Sequence, residues 1–492
     1  MNNLLSAREK RQLALLEILV HHGKCTLSHA SKIVGYTERT LSNDIKQINN
    51  YITPSKIITK NNGLMLDIPV YSSSREIYSN FLKYSREYQM LLYLLDGSPR
   101  SLEDLADSLY LSSSTVKRTI LMLNSTFKKR DMQINLSSFQ LTGNELAISS
   151  FYVALLNETN YANNYFLDKN QVSVLSDIYK IAAKKFDFKL NYPSLIRLVH
   201  WSYVRISRIR RGHLLFTNDK LAKKDIFPFE PDKSLRDKFS SMFKMDLDQR
   251  VLYELFFYFL HGGYAKNFEG MKKITKSSAR LQKIYFKIEN TLQKISKSLN
   301  ISLENTDKLF VDLFNNIQIP AAPEFVIYNK NELFNKSFQN ENEFIYNAVS
   351  SAVHECFPKL KSESHYNAII YILLTHWPNL IANAMKKTSE INIGFFFDSD
   401  TDYANFILSF LNIPAEIKVN TTIFNPTSWA EYDAVFEKAD IVITNIPGFS
   451  STFSQIICIQ EYPTENDREN ILAAIKSHHK MDLQSADIVG EL

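Results

Sequence analysis

Residues 36–52 read YTERTLSNDIKQINNYI, and residues 111–127, 75 positions later, read LSSSTVKRTILMLNSTF. Aligned in this way, the two segments have apolar residues at the same five positions, spaced by 5, 4, 3 and 4 residues. This spacing places the apolar side chains on one face of an α-helix. Thr37 and Ser112 stand just before the two helices, where a hydroxyl oxygen can cap unpaired N–H groups. The alignment, which also matches Asn49 with Asn124, predicts a repeated amphipathic helix.

A shorter predicted helix precedes each repeated helix, within 26–35 in the first copy and within 101–110 in the second. Longer helical periodicities come before these, from Glu9 to His22 and roughly from Arg75 to Leu95. Helix, short helix, tight turn and second helix is the order of a helix-turn-helix unit. The first 150 residues therefore contain two such units in succession.

A hairpin pattern follows each repeated helix. The predicted strands are 56–60 and 64–68 around Asn61-Asn62-Gly63, and 132–136 and 139–142 around Ser137-Ser138. A hairpin in this place is the wing of a winged helix, so we expect one winged helix at 1–68 and a second at 69–150.

The recognition helix of such a unit lies in the major groove and presents its N-terminal residues to the base edges. Arg39 suits guanine and Asn43 suits adenine, whereas Lys117 and Arg118 suit phosphate or guanine. The predicted DNA-contacting residues, wings included, are Thr37, Arg39, Thr40, Ser42, Asn43, Lys46, Lys60, Ser113, Ser114, Lys117, Arg118, Lys128, Lys129 and Arg130.

The distribution of charge agrees with a polyanionic partner for this part of the chain. Residues 1–150 contain 18 Lys and Arg against 13 Asp and Glu, whereas residues 151–492 contain 39 of each. An excess of this size is also ordinary surface variation, and helix-turn-helix units also bind proteins. A protein-binding scaffold is therefore one alternative function. The duplication of a capped helix with its wing favours DNA binding over this alternative.

Composition and motifs exclude several other classes of protein. No apolar run approaches the roughly 18 residues of a membrane span, and the N-terminus lacks the order of a secretory signal. Cys25, Cys356 and Cys458 are far apart, so we expect a reducing cytoplasm, no disulfide and no metal or cofactor. Phosphate-binding loops and nucleophile or zinc motifs are missing, which argues against an enzyme.

The middle of the chain, about 150–385, has the periodicity of long amphipathic helices. Three histidines there stand in apolar helical segments: His200, His261 and His376. The last part alternates predicted strands and helices, with strands at 391–398, 415–419 and 439–445 and helices at 404–411 and 429–438. This alternation predicts a small parallel α/β domain, in which Cys458 is expected to be a core residue.

These features together resemble the Mga-like and AtxA-like virulence regulators, and the N-terminal part is similar to the MafR group. The resemblance implies a multidomain, mostly α-helical protein. Two helical-bundle regulatory domains of the phosphotransferase-system type are expected at 151–280 and 281–388, and an enzyme IIB-like domain at 389–492. It also implies binding of promoter DNA with low sequence specificity, activation of transcription, and homodimers or higher oligomers formed through the C-terminal region.

The resemblance further makes His200, His261 and His376 candidate phosphorylation sites for phosphocarrier proteins, with Arg205 or Arg208 available to engage the phosphate. The sequence departs from the family pattern at 309–316, where the second regulatory domain should have its first histidine and has none. The loop after the first C-terminal strand has Asp398, Asp400 and Asp402 but no phosphate-accepting cysteine. We therefore expect a non-catalytic IIB-like domain, with helix capping favoured over a cation site for these carboxylates. A phosphotransferase enzyme component is the alternative function.

Overall fold

The computed structural model describes residues 4–477, apart from 61–62, 98, 160–166, 187–189, 216–228, 261–263, 319–325, 361, 386–390, 400, 412–418, 425–436, 449–450, 453 and 476. The chain divides into two compact units. The first unit comprises Met1–Lys266 and Gln318–Lys330, and the second comprises Asn267–Ile317 and Asn331–Leu492. Among the described residues, no helix is both long enough and apolar enough to span a membrane.

The first unit begins with a winged helix. Its elements are α1 (Ala7–His22), β1 (Lys24–Cys25), α2 (Leu27–Val34), α3 (Glu38–Tyr51), β2 (Lys56–Lys60) and β3 (Gly63–Asp67). The three strands are antiparallel in the order β1-β3-β2, and Lys60 pairs with Gly63 across the turn. The predicted helices and hairpin are confirmed here, whereas strand β1 was not predicted because two residues are too short to show a period.

A second winged helix follows, with two differences from the prediction. Its elements are α4 (Ser74–Tyr84), α5 (Arg86–Asp96), α6 (Leu102–Ser108), α7 (Ser113–Phe127), β4 (Met132–Ile134) and β5 (Leu141–Gly143). The single helix expected over Arg75–Leu95 is wrong, because Ser85 is extended and caps α5 by accepting from Tyr88 N. The hairpin is shorter than expected, because the Asn135 side chain accepts from the backbone of Ser137 and Ser138 and begins the turn early.

The rest of the first unit is helical. It contains α8 (Glu145–Thr159), α9 (Lys169–Phe186), α10 (Tyr192–Ile209) and the helices Lys233–Phe243, Gln249–Leu255 and Phe257–Leu260. Helix α10 begins at a capping Asn191 and packs on α8 and α9. Its Trp201 is fully buried and donates to the carbonyl of Glu254 at 3.0 Å.

The second unit starts with helices Phe268–Lys276, Ala279–Leu299, Asp307–Gln318, Lys330–Glu341, Glu343–Cys356, Glu363–His376 and Leu380–Met385. An α/β region follows, with strands β6 (Ile391–Phe395), β7 (Val419–Ile423), β8 (Ile441–Thr444) and β9 (Gln455–Cys458) and helices at Thr401–Leu411 and 465–475. All strand pairs are parallel, in the order β7-β6-β8-β9, which confirms the predicted parallel sheet.

Two details of this region differ from the sequence interpretation. The strand expected at 415–419 is found at Val419–Ile423, and residues 412–418 lie outside the described residues, as does most of the helix expected at 429–438. Cys458 is exposed, so its assignment to the core is wrong. It is the last residue of β9, which lies at the edge of the sheet and is covered less than the central strands.

Candidate nucleic-acid interface

The first helix-turn-helix is fixed by local hydrogen bonds at both of its helix starts. Thr26 caps α2 by accepting from His29 N at 3.1 Å, and Thr37 caps α3 by accepting from Thr40 N at 3.3 Å. Gly35 ends α2 with φ of 77°, a left-handed conformation that glycine adopts without steric cost. These caps set the angle at which α3 leaves the turn.

Helix α3 presents a polar face with two cations at its N-terminal half. Arg39, Asn43 and Lys46 are exposed, and Thr40 and Ser42 are half-buried beside them. Glu38 is also exposed on the first turn, where its carboxylate repels phosphate and favours the helix N-terminus. Because Thr37 caps the helix, we assign it a structural role in addition to any backbone contact with DNA.

The buried face of α3 contains an ion pair that the apolar pattern did not reveal. Asp44 is buried, and its carboxylate accepts from Arg11 at 3.0 Å and from Gln12 at 3.2 Å, both on α1. The hydrogen bond to Asp44 raises the pKa of Arg11. The Arg11 guanidinium also lies 4.7 Å from the centre of the Tyr36 ring. These contacts fix the rotation of α3 about its axis, and so determine which residues it exposes.

The second unit presents a different face on the same scaffold. Ser112 caps α7 by accepting from Thr115 N at 3.2 Å, and Ser114, Lys117 and Arg118 are exposed on the first turns. Ser113 is half-buried. Tyr110, in the tight turn, is 95% exposed and takes a φ of 54°, at the position where the first copy has Gly35. An exposed aromatic residue in this turn is a further contact candidate that helical periodicity does not identify.

Cationic residues also lie next to both wings. Lys60 is exposed at the end of β2, beside the turn of the first wing. Lys128, Lys129 and Arg130 form an exposed 3₁₀ turn between α7 and the second wing. The predicted cationic contact residues of the first and second winged helices are therefore on the surface and available to phosphate.

An asparagine of each recognition helix ties the helix to its wing. The Asn49 side chain donates to the carbonyl of Ile57 at 2.9 Å and accepts from its N–H at 2.7 Å. Asn124 makes the same pair of bonds to Ile134, at 2.9 and 2.6 Å. The Asn49–Asn124 match in the aligned sequences therefore reflects a repeated helix–wing bridge, and both wings have a fixed position relative to their recognition helix.

A buried ionic network connects α10 with the start of α8. Arg205 is fully buried and contacts Glu145, Glu254 and Ser149, with distances of 2.8 Å to Glu254 and 2.7 Å to Ser149. Arg208 forms a two-bond pair with Glu145, at 3.0 and 2.6 Å. Burial opposes ionisation, but the two guanidinium groups lower the pKa of Glu145. Both arginines already have carboxylate partners, which is not the arrangement expected of phosphate-binding groups.

The same helix also contacts the second winged helix directly. Asp96, the last residue of α5, accepts from the hydroxyls of Tyr203 and Ser207, the latter at 2.9 Å. His213 Nε2 lies 2.8 Å from Gln140 Oε1 in the turn of the second wing. Helix α10 is thus hydrogen-bonded to the end of α5, and His213, four residues after α10, contacts the turn of the second wing.

The candidate histidines have different environments. His200 is 2% exposed, its Nδ1 lies 2.6 Å from Asn157 Oδ1, and burial lowers its pKa to about 4. His376 ends its helix with a side chain that is 41% exposed, and its Nδ1 lies 2.9 Å from Asp312 Oδ2. Asp312 falls within 309–316, where the family pattern expects a histidine. His261 lies outside the described residues.

The loop after β6 forms hydrogen bonds within the α/β region. The Asp398 carboxylate accepts from Asn445 Nδ2 at 2.6 Å, and the same amide donates to Glu461 at 2.9 Å. Among the residues that the structure describes, no group of three or more His, Cys, Asp or Glu is arranged to hold a metal ion. Asp402 lies in the first turn of helix Thr401–Leu411, where a carboxylate is favourable, and Asp400 is outside the described residues.

Comparison with known proteins agrees with this arrangement. Residues 70–156 match the family model of the Mga helix-turn-helix domain. The chain is 21% identical to a putative trans-acting regulator of Streptococcus pneumoniae, over 90% of this chain and 93% of the relative. It is 21% identical to the capsule synthesis positive regulator AcpB of Bacillus anthracis, over 94% and 97% of the two chains. It is 23% identical to AcpA of the same organism, over 41% and 43%.

The names of these three relatives describe regulators, and none of the three describes an enzyme. The family match covers the second of the two winged helices, and the similarity to AcpB extends over nearly the whole chain. The chain is therefore similar to transcription regulators over most of its length, and its residues 70–156 match the Mga helix-turn-helix domain.

Proposed function

We propose that this protein activates transcription by binding promoter DNA through both winged helices, with low sequence specificity. The observation that supports this most strongly is the duplication of a capped recognition helix, exposed cations and a wing fixed by an asparagine. AcpB and AcpA are named as positive regulators, which supports activation rather than repression of transcription. The first recognition helix, with Arg39 and Asn43, contributes most of the base contacts, and the second contributes most of the phosphate contacts.

Removing the cations of a recognition helix is expected to weaken DNA binding. The double variant Lys117→Ala/Arg118→Ala should lose about 1–3 kcal/mol of binding free energy on any duplex and should lower the salt dependence of binding. Arg39→Ala should lose a similar amount, but more on the promoter than on random DNA. Fluorescence anisotropy with promoter and random duplexes over a salt series measures the affinity, its salt dependence and the preference for promoter DNA.

The matched control for the double variant is Lys184→Ala/Lys185→Ala, which removes two exposed charges at the end of α9. It should leave binding nearly unchanged. Equal losses in the two double variants would show that only net charge matters, and would contradict contact by α7. Wild-type protein that binds no duplex at low salt would remove the DNA-binding proposal altogether.

We propose further that phosphocarrier proteins of the phosphotransferase system control the protein through a histidine. Among the described candidates, the position of His376 suits phosphorylation best, because its side chain is half-exposed and Asp312 holds Nδ1. A phosphate on Nε2 adds about two negative charges near the Asp312 carboxylate, so the two helices that hold these residues should be pushed apart. His200 is accessible to a phosphodonor only if the α8–α10 packing opens.

Phosphorylation by purified enzyme I, phosphocarrier protein and phosphoenolpyruvate is therefore expected to yield an acid-labile phosphate that His376→Ala largely removes. His354→Ala is the control, because His354 is also exposed and lies on the neighbouring helix Glu343–Cys356. His200→Gln should retain the label. A label lost in His200→Gln and kept in His376→Ala would contradict this assignment. A label kept in both variants would also contradict it, and His261→Ala would then test the third candidate.

We propose that the C-terminal α/β region forms contacts between copies of the chain and does not transfer phosphate. The loop after β6 has no cysteine, and its Asp398 repels a phosphoryl group. Phe406 and Tyr462 are exposed side by side, with ring centres 6.2 Å apart. Exposed aromatic pairs of this kind are common at the centres of protein interfaces.

A further inference from the structure

One short segment of the second unit has a large excess of positive charge. Residues 267–300 contain 8 Lys and Arg against 2 Asp and Glu. Since residues 151–492 together contain equal numbers of basic and acidic residues, the remainder of that region is net negative. The zero net charge of residues 151–492 therefore conceals a strongly basic segment. The proposed function assigns no role to this segment.

Five of the eight basic residues of this segment form a line along one helix. In the helix Ala279–Leu299 the buried residues are Leu281, Ile288, Thr291, Leu292, Ile295 and Leu299. The cations occur at spacings of three, four, seven and three residues, which keeps them on one face, away from the apolar residues. At 1.5 Å per residue this face is about 25 Å long. We call it the basic stripe: Arg280, Lys283, Lys287, Lys294 and Lys297.

The basic stripe is accessible and only partly neutralised. All of its residues are exposed except Lys287, which is half-buried and lies 5.4 Å from the Phe357 ring. Lys294 forms an ion pair with Glu355, and both of these side chains are more than half exposed. An open groove of about 550 Å³ runs along the C-terminal half of the stripe, where Asn290 and Gln293 add amide groups. Cations and amides in an open groove are suited to phosphate oxygens.

We propose that the basic stripe binds the phosphodiester backbone of duplex DNA, as a contact additional to those of the winged helices. This inference rests on the proposed function. Duplex DNA has about one negative charge per 1.7 Å of its axis with both strands counted, so a 25 Å length carries roughly fifteen phosphate charges around its circumference. A duplex already held by the winged helices is present at high effective concentration for any other cationic surface of the same chain. That advantage favours DNA over an acidic protein as the partner.

The test compares two variants of the full-length protein that lose the same charge. Arg280→Gln/Lys283→Gln/Lys297→Gln removes three exposed cations of the stripe, whereas Lys169→Gln/Lys184→Gln/Lys238→Gln removes three exposed cations of the first unit. Binding to a duplex of about 60 base pairs is measured by anisotropy between 50 and 300 mM salt. With about 0.9 in slope per phosphate contact, the stripe variant should lose roughly 2–3 from the slope of log K against log salt. Its affinity at 100 mM salt should fall at least about tenfold, and that of the control less than about twofold.

Each outcome of this experiment has a distinct meaning. Equal slopes and affinities in the two triple variants would overturn the stripe proposal, and a loss in Lys117→Ala/Arg118→Ala under the same conditions would leave the proposed function intact. An unchanged slope with a smaller particle mass by light scattering would identify an acidic surface of a second copy as the partner instead. Wild-type protein without DNA binding would overturn both proposals.

Discussion

Arg205→Met is expected to lower the free energy of unfolding of the first unit by about 3–5 kcal/mol. The reason is the charge that remains. Glu254 is fully buried and its carboxylate accepts from Arg205, so the variant leaves a buried anion without its cation. Glu145 keeps Arg208 and is less affected. A buried ion pair adds little net stability as a whole, but removal of one partner is costly because the other stays desolvated.

The measurement is a guanidinium titration with pulsed hydrogen exchange, read by mass spectrometry on peptides of α8 and α10. Arg236→Met is the matched control, because Arg236 pairs with Glu230 at the surface and should lose less than about 1 kcal/mol. The double variant Arg205→Met/Glu254→Met should be more stable than Arg205→Met, since it removes the unpaired anion as well. A single variant no less stable than Arg236→Met would contradict the stabilising role assigned to the Arg205–Glu254 ion pair.

The network also explains what the sequence does and does not predict. Helix caps and apolar faces depend on residues within one or two turns, so the pattern around Thr37 and Ser112 was enough to predict both recognition helices correctly. The partners of Arg205 are 49 and 60 residues away, and no local pattern indicates them. For the same reason Arg205 and Arg208 were expected to be available to a phosphate, whereas in the structure both arginines pair with carboxylates.

Polar residues inside the winged helices show the same limit. Asp44 lies on the buried face of α3, where the periodicity has no apolar residue, and its partners are on α1. The match of Asn49 with Asn124 was visible in the sequence, but its role required the position of each wing. Ser85 breaks a periodic apolar segment without glycine or proline, because its hydroxyl caps the next helix. The sequence therefore predicted which residues are exposed on the recognition helices better than what holds those helices in place.

A pH-dependent loss of stability is expected from Glu158, near the end of α8. This carboxyl group is buried and accepts from the backbone N–H groups of Val326, Ile327 and Tyr328, the last two at 3.0 Å. Burial raises its pKa from 4.5 to about 7, and the three N–H groups only partly oppose that rise. Residues 326–328 belong to the segment Gln318–Lys330, which returns from the second unit to the first. Glu158 thus holds residues 326–328 against α8 within the first unit.

The direction in which stability changes with pH follows from the raised pKa of Glu158. Between pH 4.5 and 7 the folded protein keeps a proton on Glu158 that the unfolded chain releases, so this residue makes stability fall as pH rises through that window. A shift from 4.5 to about 7 corresponds to roughly 3 kcal/mol. Other groups titrate in the same unit, among them Glu87, whose pKa burial and Glu9 raise to about 8. The quantity to measure is therefore the difference between wild type and Glu158→Gln.

Pulsed-exchange titrations of α8 peptides at pH 5, 6, 7 and 8 give the free energy of unfolding of both proteins. As pH rises, that of the wild type should fall relative to that of Glu158→Gln by up to about 3 kcal/mol. The glutamine has nothing to titrate, so contributions from Glu87 and His200 cancel. A control variant at Glu103, an exposed carboxylate in the first turn of α6, should give a difference that varies little over this range. A difference for Glu158→Gln that is constant, or that grows in favour of the wild type, would mean that the three N–H groups outweigh burial and that Glu158 is charged throughout.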